Sequence, residues 1–451
     1  MKFKATQEWN VVSVEEIKAN TSNALATGPF GSSIGPRFFE SCGVPIIRGT
    51  NLSEDISVRL NHKNIAFMSV EKSRDFERSK ARKGDLVFTS RGSVGQVGLI
   101  DKNCPYPEYV ISNNMMKLSP DPTKVDSNYL YYLFSSQAMS EEIKNQTIGT
   151  SVPGFNLGQL RSMRIRLPPL PEQHAIARTL GSLDNKIELN RRMNETLETM
   201  ARAIFNSWFV DFDPVRARAE GRELAGMDAE TTALFPDSFE ETELGMVPKG
   251  WRISKIGDVV KIVGGATPST KNPQFWNGAI SFATPKDLAP LTSPILLETE
   301  RRITDAGLKN ISSGLLPKGT VLLSSRAPIG YLAIAEIPVA VNQGFIAMIC
   351  NGDLPNYYVL TWLHENMDTI LGNANGTTFL EISKKNFRPI ACIVPSPETL
   401  LCFIKLVDAL FKKIVENLIE SNTLAAMRDL LLPELLSGNL RVKEIPCREG
   451  I

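Results

Sequence analysis

Residues Glu172–Phe209 read EQHAIARTLGSLDNKIELNRRMNETLETMARAIFNSWF. Stepping alternately four and three residues from Ile176 collects Leu180, Leu183, Ile187, Asn190, Asn194, Leu197, Ala201, Ile204 and Trp208. A 3.5-residue spacing is the seam of a coiled coil, narrower than the stripe of an ordinary surface helix. At about 1.5 Å per residue the seam predicts a rod of roughly 48 Å. Asn190 and Asn194 interrupt it, and polar residues at seam positions cost stability but fix register and partner.

The pattern returns 227 residues later as Phe403, Val407, Leu410, Ile414, Asn417, Ser421, Leu424, Arg428, Leu431 and Leu435. The polar layer returns with it, Asn417 and Ser421 answering Asn190 and Asn194. An antiparallel pairing sets Asn190 opposite Ser421 and Asn194 opposite Asn417, whereas a parallel one sets Asn190 against Asn417. Two amphipathic helices, each packing on its own domain, are the plainer alternative.

Working outward, the repeat extends over the whole chain. Glu8-Trp9 with VVSVEEI resembles Gly250-Trp251 with RISKIGDVV, and the Gly-rich turn Thr27–Ser33 resembles Gly264–Thr270. GVPIIRGTNL (Gly43–Leu52) matches GAISFATPKDL (Gly278–Leu288). KGDLVFTSRGSVG (Lys83–Gly95) matches KGTVLLSSRAPIG (Lys318–Gly330) at an offset of 235, each a turn, a short strand, Ser-Arg and a Gly-closed loop. VISNNMMKLSP (Val110–Pro120) and VAVNQGFIAMI (Val339–Ile349) each read as one strand with polar residues. A helix follows in each half, SNYLYYLFSS or NYYVLTWLHE, then a Gly/Thr loop at Ile148–Phe155 or Asn375–Ile382. A strand stopped by prolines closes each half, MRIRLPPLPEQ or RPIACIVPSPE. A period this long marks duplicated domains.

The fold class expected is α/β (mixed α+β), with two globular domains, each of sheet and helices. The expected boundaries are 1–167 for the first globule, 168–215 for the first helical region and 216–245 for an acidic connector. The second globule follows at 246–395, the second helical region at 396–442 and a tail at 443–451.

Hydrophobic content of 42% and charged content of 22% describe a chain with real cores. No apolar run approaches the ~20 residues of a membrane span, and MKFKATQEWN lacks a signal-peptide core. Six dispersed cysteines without a CxxC suggest a reduced, cytoplasmic compartment. Three scattered histidines (His62, His174, His364) argue against a zinc site. The net charge of +1 hides a distribution: residues 1–165 and 246–395 each carry about +4, 166–245 about −6 and 396–451 about −1. Mildly basic globules beside acidic helical and connecting segments fit two separate anion-binding surfaces.

No P-loop, nucleophile elbow, dinucleotide fingerprint or zinc-protease motif occurs. Asp211 and Asp213 could hold Mg²⁺ as a nuclease pair, or cap a helix at a domain joint. No catalytic or metal-ligating residue is expected beyond that pair. In the matched loops, Ser90-Arg91 and Ser325-Arg326 are ligand-contact candidates, because a guanidinium fork suits guanine edges and phosphates. Equally, each arginine could brace its loop on a carboxylate. Positions that differ between halves are better specificity candidates. Arg48, Thr50 and Asn51 face Ala283, Pro285 and Lys286, and Asn113 and Asn114 face Asn342 and Gln343. Asn and Gln can bond bidentately to adenine.

LPPLPEQHAIARTLGSLDNKIELN (Leu167–Asn190), NSWFVDFDPV (Asn206–Val215), GMVPKGW (Gly245–Trp251) and LLLPELLSGNLRV (Leu430–Val442) together resemble the specificity subunits of Type I restriction–modification enzymes. IVPSPETLLCF departs from the PPLPEQ pattern in the second copy. The resemblance implies two target-recognition domains reading the halves of a split double-stranded DNA site, and an antiparallel coiled coil acting as a ruler. It also implies a chain without its own active site or bound cofactor. Two modification subunits would bring S-adenosylmethionine to methylate adenine, and restriction subunits would bring ATP and Mg²⁺. A coiled-coil scaffold that binds only proteins is the alternative.

Overall fold

The computed structural model describes residues 9–147, 154–376 and 380–442. Both 3.5-residue seams are helices, Leu170–Phe209 and Pro397–Ser437. Glu8, residues 148–153 and 377–379 of the Gly/Thr loops, and the tail 443–451 lie outside the described residues.

The chain forms two compact units, residues 1–189 with 420–451, and residues 190–419. The helical regions therefore do not stand apart as the sequence boundaries suggest, since each unit takes one portion of each long helix. Within the first unit Lys186 meets Glu420 at 3.1 Å and Asp184 meets Arg428 at 3.0 Å. Within the second, Asn190 Nδ2 donates to the Asn417 carbonyl at 3.3 Å, and the Phe205 and Trp208 rings lie 6.1 and 6.2 Å from Phe403. In both units one helix number falls as the other rises, so the pairing is antiparallel. Asn417 Nδ2 donates to Asn194 Oδ1 at 2.8 Å, the pair that the antiparallel register requires.

In the first unit, Asn10–Ser13 pairs with Arg164–Leu167, joining the two ends of the globule. One four-stranded sheet runs Leu25–Thr27, Met115–Leu118, Leu86–Thr89, Val97–Leu99. A second runs Ala66–Met68, Val44–Ile47, Glu108–Ile111, Lys80–Arg82. The helix Ser127–Ser135, capped by Asp126, buries Tyr129, Tyr131, Tyr132 and Phe134 against the strands and against Ile176 and Leu180. Those aromatics supply much of the core's apolar area.

The second unit repeats this plan. Arg252–Lys255 pairs with Ala391–Val394. Lys261–Val263, Phe345–Ile349, Val321–Ser325 and Ile329–Ala335 lie in the matching order, with Ile295–Leu296 added at the edge. Arg301–Ile303, Trp276–Ala283 and Val339–Val341 form the second sheet.

VISNNMMKLSP is not one strand. Glu108–Ile111 runs parallel to Val44–Ile47, then the chain turns and Met115–Leu118 joins the other sheet. VAVNQGFIAMI divides the same way. The polar residues mark the turn between the two sheets.

The acidic connector belongs to the second unit's core. Phe235 is 1% exposed with its ring 5.0 Å from Trp208, and Thr399 Oγ1 donates to the Leu234 carbonyl. Phe212 takes a left-handed conformation (φ 56°) just before the helix Asp213–Ala219, where Asp213 accepts from Ser207 Oγ at 2.8 Å. The Asp213 carboxylate thus sits in the helix's first turn, where a negative charge is favoured. Among the described residues no group of three His, Cys, Asp or Glu side chains is placed to hold a metal ion.

Candidate nucleic-acid interface

Four short segments converge in each unit, and their backbone hydrogen bonds match. The first is the turn leaving Val44–Ile47. Asn51 Oδ1 accepts Arg48 N at 3.0 Å and Asn51 Nδ2 donates to the Asn61 carbonyl at 2.9 Å. At 1% exposure, with both amide ends committed, Asn51 braces this turn instead of facing a ligand. In the second unit Asp287 does the same, accepting Thr284 N at 2.8 Å and Thr284 Oγ1 at 2.7 Å. The repeat therefore aligns Arg48, Thr50 and Asn51 with Thr284, Lys286 and Asp287, one residue on from the sequence alignment. Thr50 and Lys286 share the exposed position of the turn.

The second segment is the turn between the sheets. Ser112 N donates to the Ile47 carbonyl and Asn342 N to the Ala283 carbonyl, while Ser90 N reaches Asn114 O and Ser325 N reaches Gly344 O. These bonds pair Asn113 with Gln343 and Asn114 with Gly344, again one residue from the sequence alignment. Asn113 and Gln343 are exposed. Asn342 Oδ1 accepts Gly344 N at 2.9 Å, so its side chain closes the turn.

The third is the Ser-Arg loop. Phe155 N donates to the Ser90 carbonyl and Ile382 N to the Ser325 carbonyl, and bridges join Arg91 with Gly154 and Arg326 with Glu381. Ser325 is 3% exposed, and Ser90 is half-buried. Both serines thus act through their backbones. The arginines diverge. Arg326 Nη1 lies 3.7 Å from Glu381 Oε1, whereas Arg91 is exposed and has no carboxylate partner among the described residues.

The fourth is the Gly-rich turn. A Cβ on Gly28 would lie 1.8 Å from the Ser112 carbonyl oxygen, and one on Gly265 would lie 1.7 Å from the Val341 oxygen. Only glycine lets these turns press against the inter-sheet turns.

In the first unit the four segments enclose a concavity of about 550 Å³ that brings together Arg48, Thr50, Arg91, Asn113 and Asn114. Arg48 is anchored by Nη2 to the Asn64 carbonyl at 2.7 Å, with its guanidinium 5.6 Å from the Phe39 ring centroid. In the second unit Gln343 Oε1 accepts Thr267 Oγ1 at 2.6 Å, and Lys286 Nζ meets Glu300 at 2.8 Å. That hydrogen bond from Glu300 raises the Lys286 ammonium above its usual range and keeps it charged. Sequence reasoning passed over Phe30 and Thr267, which occupy equivalent places in the Gly-rich turns. An aromatic in a Gly-Pro turn was the available signal.

The family model of the Type I restriction modification DNA specificity domain matches the chain twice, at residues 40–199 and 248–424. The Type I restriction enzyme HindI specificity subunit of Haemophilus influenzae is 28% identical over 403 residues, spanning 80% of this chain and 87% of that protein. The MjaIX specificity subunit of Methanocaldococcus jannaschii is also 28% identical, over 369 residues, 80% of this chain and 79% of that protein. The crystal structure of the Type I system S subunit from M. genitalium shares the fold, with a TM-score of 0.56 at 17% identity and 99% of each chain covered. With two copies of the domain, one drawing its four loops from each unit, the chain belongs to the family of Type I restriction–modification specificity subunits, whose role is DNA-target recognition.

Proposed function

We propose that each unit reads one half of a bipartite duplex, and that the chain itself carries no active site. The observation behind this reading is the recurrence of one loop frame with different exposed side chains. Asn51 and Asp287 brace equivalent turns, while the outward pairs Arg48/Thr284, Thr50/Lys286 and Asn113/Gln343 differ in chemistry. A frame held constant with variable outward groups suits two readers of unlike half-sites, since base edges are distinguished by donor and acceptor pattern. Arg91 supplies a charge for phosphate or guanine in the first unit.

In this reading the chain works in the cytoplasm. It positions two modification subunits, which bring S-adenosylmethionine and methylate adenine, and restriction subunits, which bring ATP and Mg²⁺. Equilibrium binding of the chain, assembled with its modification subunit, to duplex DNA across a salt series tests the reading. A steep fall in affinity with salt is expected from phosphate contacts. Affinity that barely changes between low and moderate salt contradicts it.

A further inference from the structure

Phe30 is 89% exposed, more than any other large hydrophobic residue among those described. Its position is nevertheless fixed. The preceding Gly28 presses on the Ser112 carbonyl, Ser33 N donates to the Phe30 carbonyl at 2.9 Å, and a Cβ on the following Gly31 would lie 3.0 Å from Asn113 Nδ2. Gly31, Ile34 and Gly35 line the same concavity as Arg48, Arg91 and Asn113. The turn therefore presents a flat apolar ring at the rim of a polar, basic hollow.

A protein partner would call for a contiguous apolar patch. Around Phe30 the exposed neighbours are Gly31, Ser32 and Arg37. A nucleobase offers what this rim fits, an apolar face or methyl group beside hydrogen-bonding edges and phosphates. The second unit has Thr267 at this place, tied to Gln343, so the device belongs to the first half-site.

Resting on the DNA-reading function proposed above, we propose that Phe30 is a specificity-determining base contact, its ring packing on a base of the duplex. The base surface is either a thymine methyl at the groove edge or the face exposed at an opened base step. The chain, assembled with its modification subunit, is tested as wild type, Phe30→Ala and Phe30→Leu. The probes are a duplex carrying the motif obtained by methylation mapping and an unrelated duplex of equal length.

Phe30→Ala is expected to weaken binding to the motif by about tenfold or more, with binding to the unrelated duplex and its salt dependence unchanged. Phe30→Leu should retain part of the affinity. If uracil in place of a first-half thymine weakens the wild type but not Phe30→Ala, the methyl is the contact. If 2-aminopurine brightens on binding the wild type but not Phe30→Ala, the opened step is the contact. Wild type that selects the motif, with Phe30→Ala unchanged on it, overturns the role of Phe30 and leaves the DNA-reading function standing. Loss of assembly with the modification subunit in Phe30→Ala overturns it in favour of a protein contact. Wild type that fails to prefer the motif contradicts the underlying function.

Discussion

Arg428 of the second long helix reaches Asp184 of the first at 3.0 Å, with side chains only 6% and 3% exposed. Tyr132 of the first globule donates to the same carboxylate, and Arg59 bonds both the Tyr132 hydroxyl and Asp101. A chain of charge-assisted hydrogen bonds thus ties the recognition globule to both helices within one unit. Burial pushes the Asp184 carboxyl up against the opposing pull of Tyr132 and Arg428. Removing the arginine would leave a buried, uncompensated acid. Arg428→Ala should therefore cost about 3–5 kcal/mol by chemical denaturation, whereas Arg428→Met with Asp184→Leu should cost much less. Equal losses in the single and double variants would mean the pair contributes no specific coupling.

The polar layer gives a separable prediction. Asn194 is 2% exposed and receives the Asn417 side-chain amide. Asn417→Leu should destabilise the second unit by about 1–3 kcal/mol, because the Asn194 carbonyl loses its donor. Replacing Asn190, Asn194 and Asn417 together by Leu should restore or raise stability while permitting misregister or oligomers. Sedimentation of the triple variant as a single species of wild-type size would contradict a register-setting role.

The seam was legible because a 3.5-residue repeat has one structural meaning over so many turns. The duplication was legible because strand and turn residues recur in order. The division of VISNNMMKLSP between two sheets was not legible, since both strands are buried and apolar and hydrophobic periodicity does not register a change of sheet. The one-residue slip in aligning the halves came from matching residue types where hydrogen bonds decide. Thr284-x-x-Asp287 is a capping pattern, and reading it would have set Asn51 as its partner. Burial likewise took Ser325 out of reach of any ligand, which no local sequence feature announces.

The two Ser-Arg loops should respond differently to the same substitution. Arg91 is exposed without a carboxylate partner among the described residues, while Arg326 stands beside Glu381. In a phosphate-contact role, Arg91→Ala should weaken binding to all duplexes and lower the salt slope by about 1. Arg326→Ala should change both less. Equal effects in both variants would show that the Glu381 contact does not restrain Arg326.

Thiol chemistry offers a check on the cores. Burial pushes the Cys104 thiol up to about 11 and the Cys350 and Cys392 thiols up to about 12, whereas Cys42 is exposed. At pH 8 an alkylating reagent should modify Cys42 well before these three, as read by peptide mass mapping. Native-state labelling of Cys392 as fast as Cys42 would contradict the strand packing of Ala391–Val394.

The central claim is that this chain selects the DNA sequence that its complex modifies. Adenine-methylation mapping of DNA from cells expressing the chain with its modification subunit, against cells expressing the modification subunit alone, tests this most directly. A split motif methylated only when the chain is present is the predicted result. No new methylation, with the assembled complex confirmed in the same cells, would contradict it.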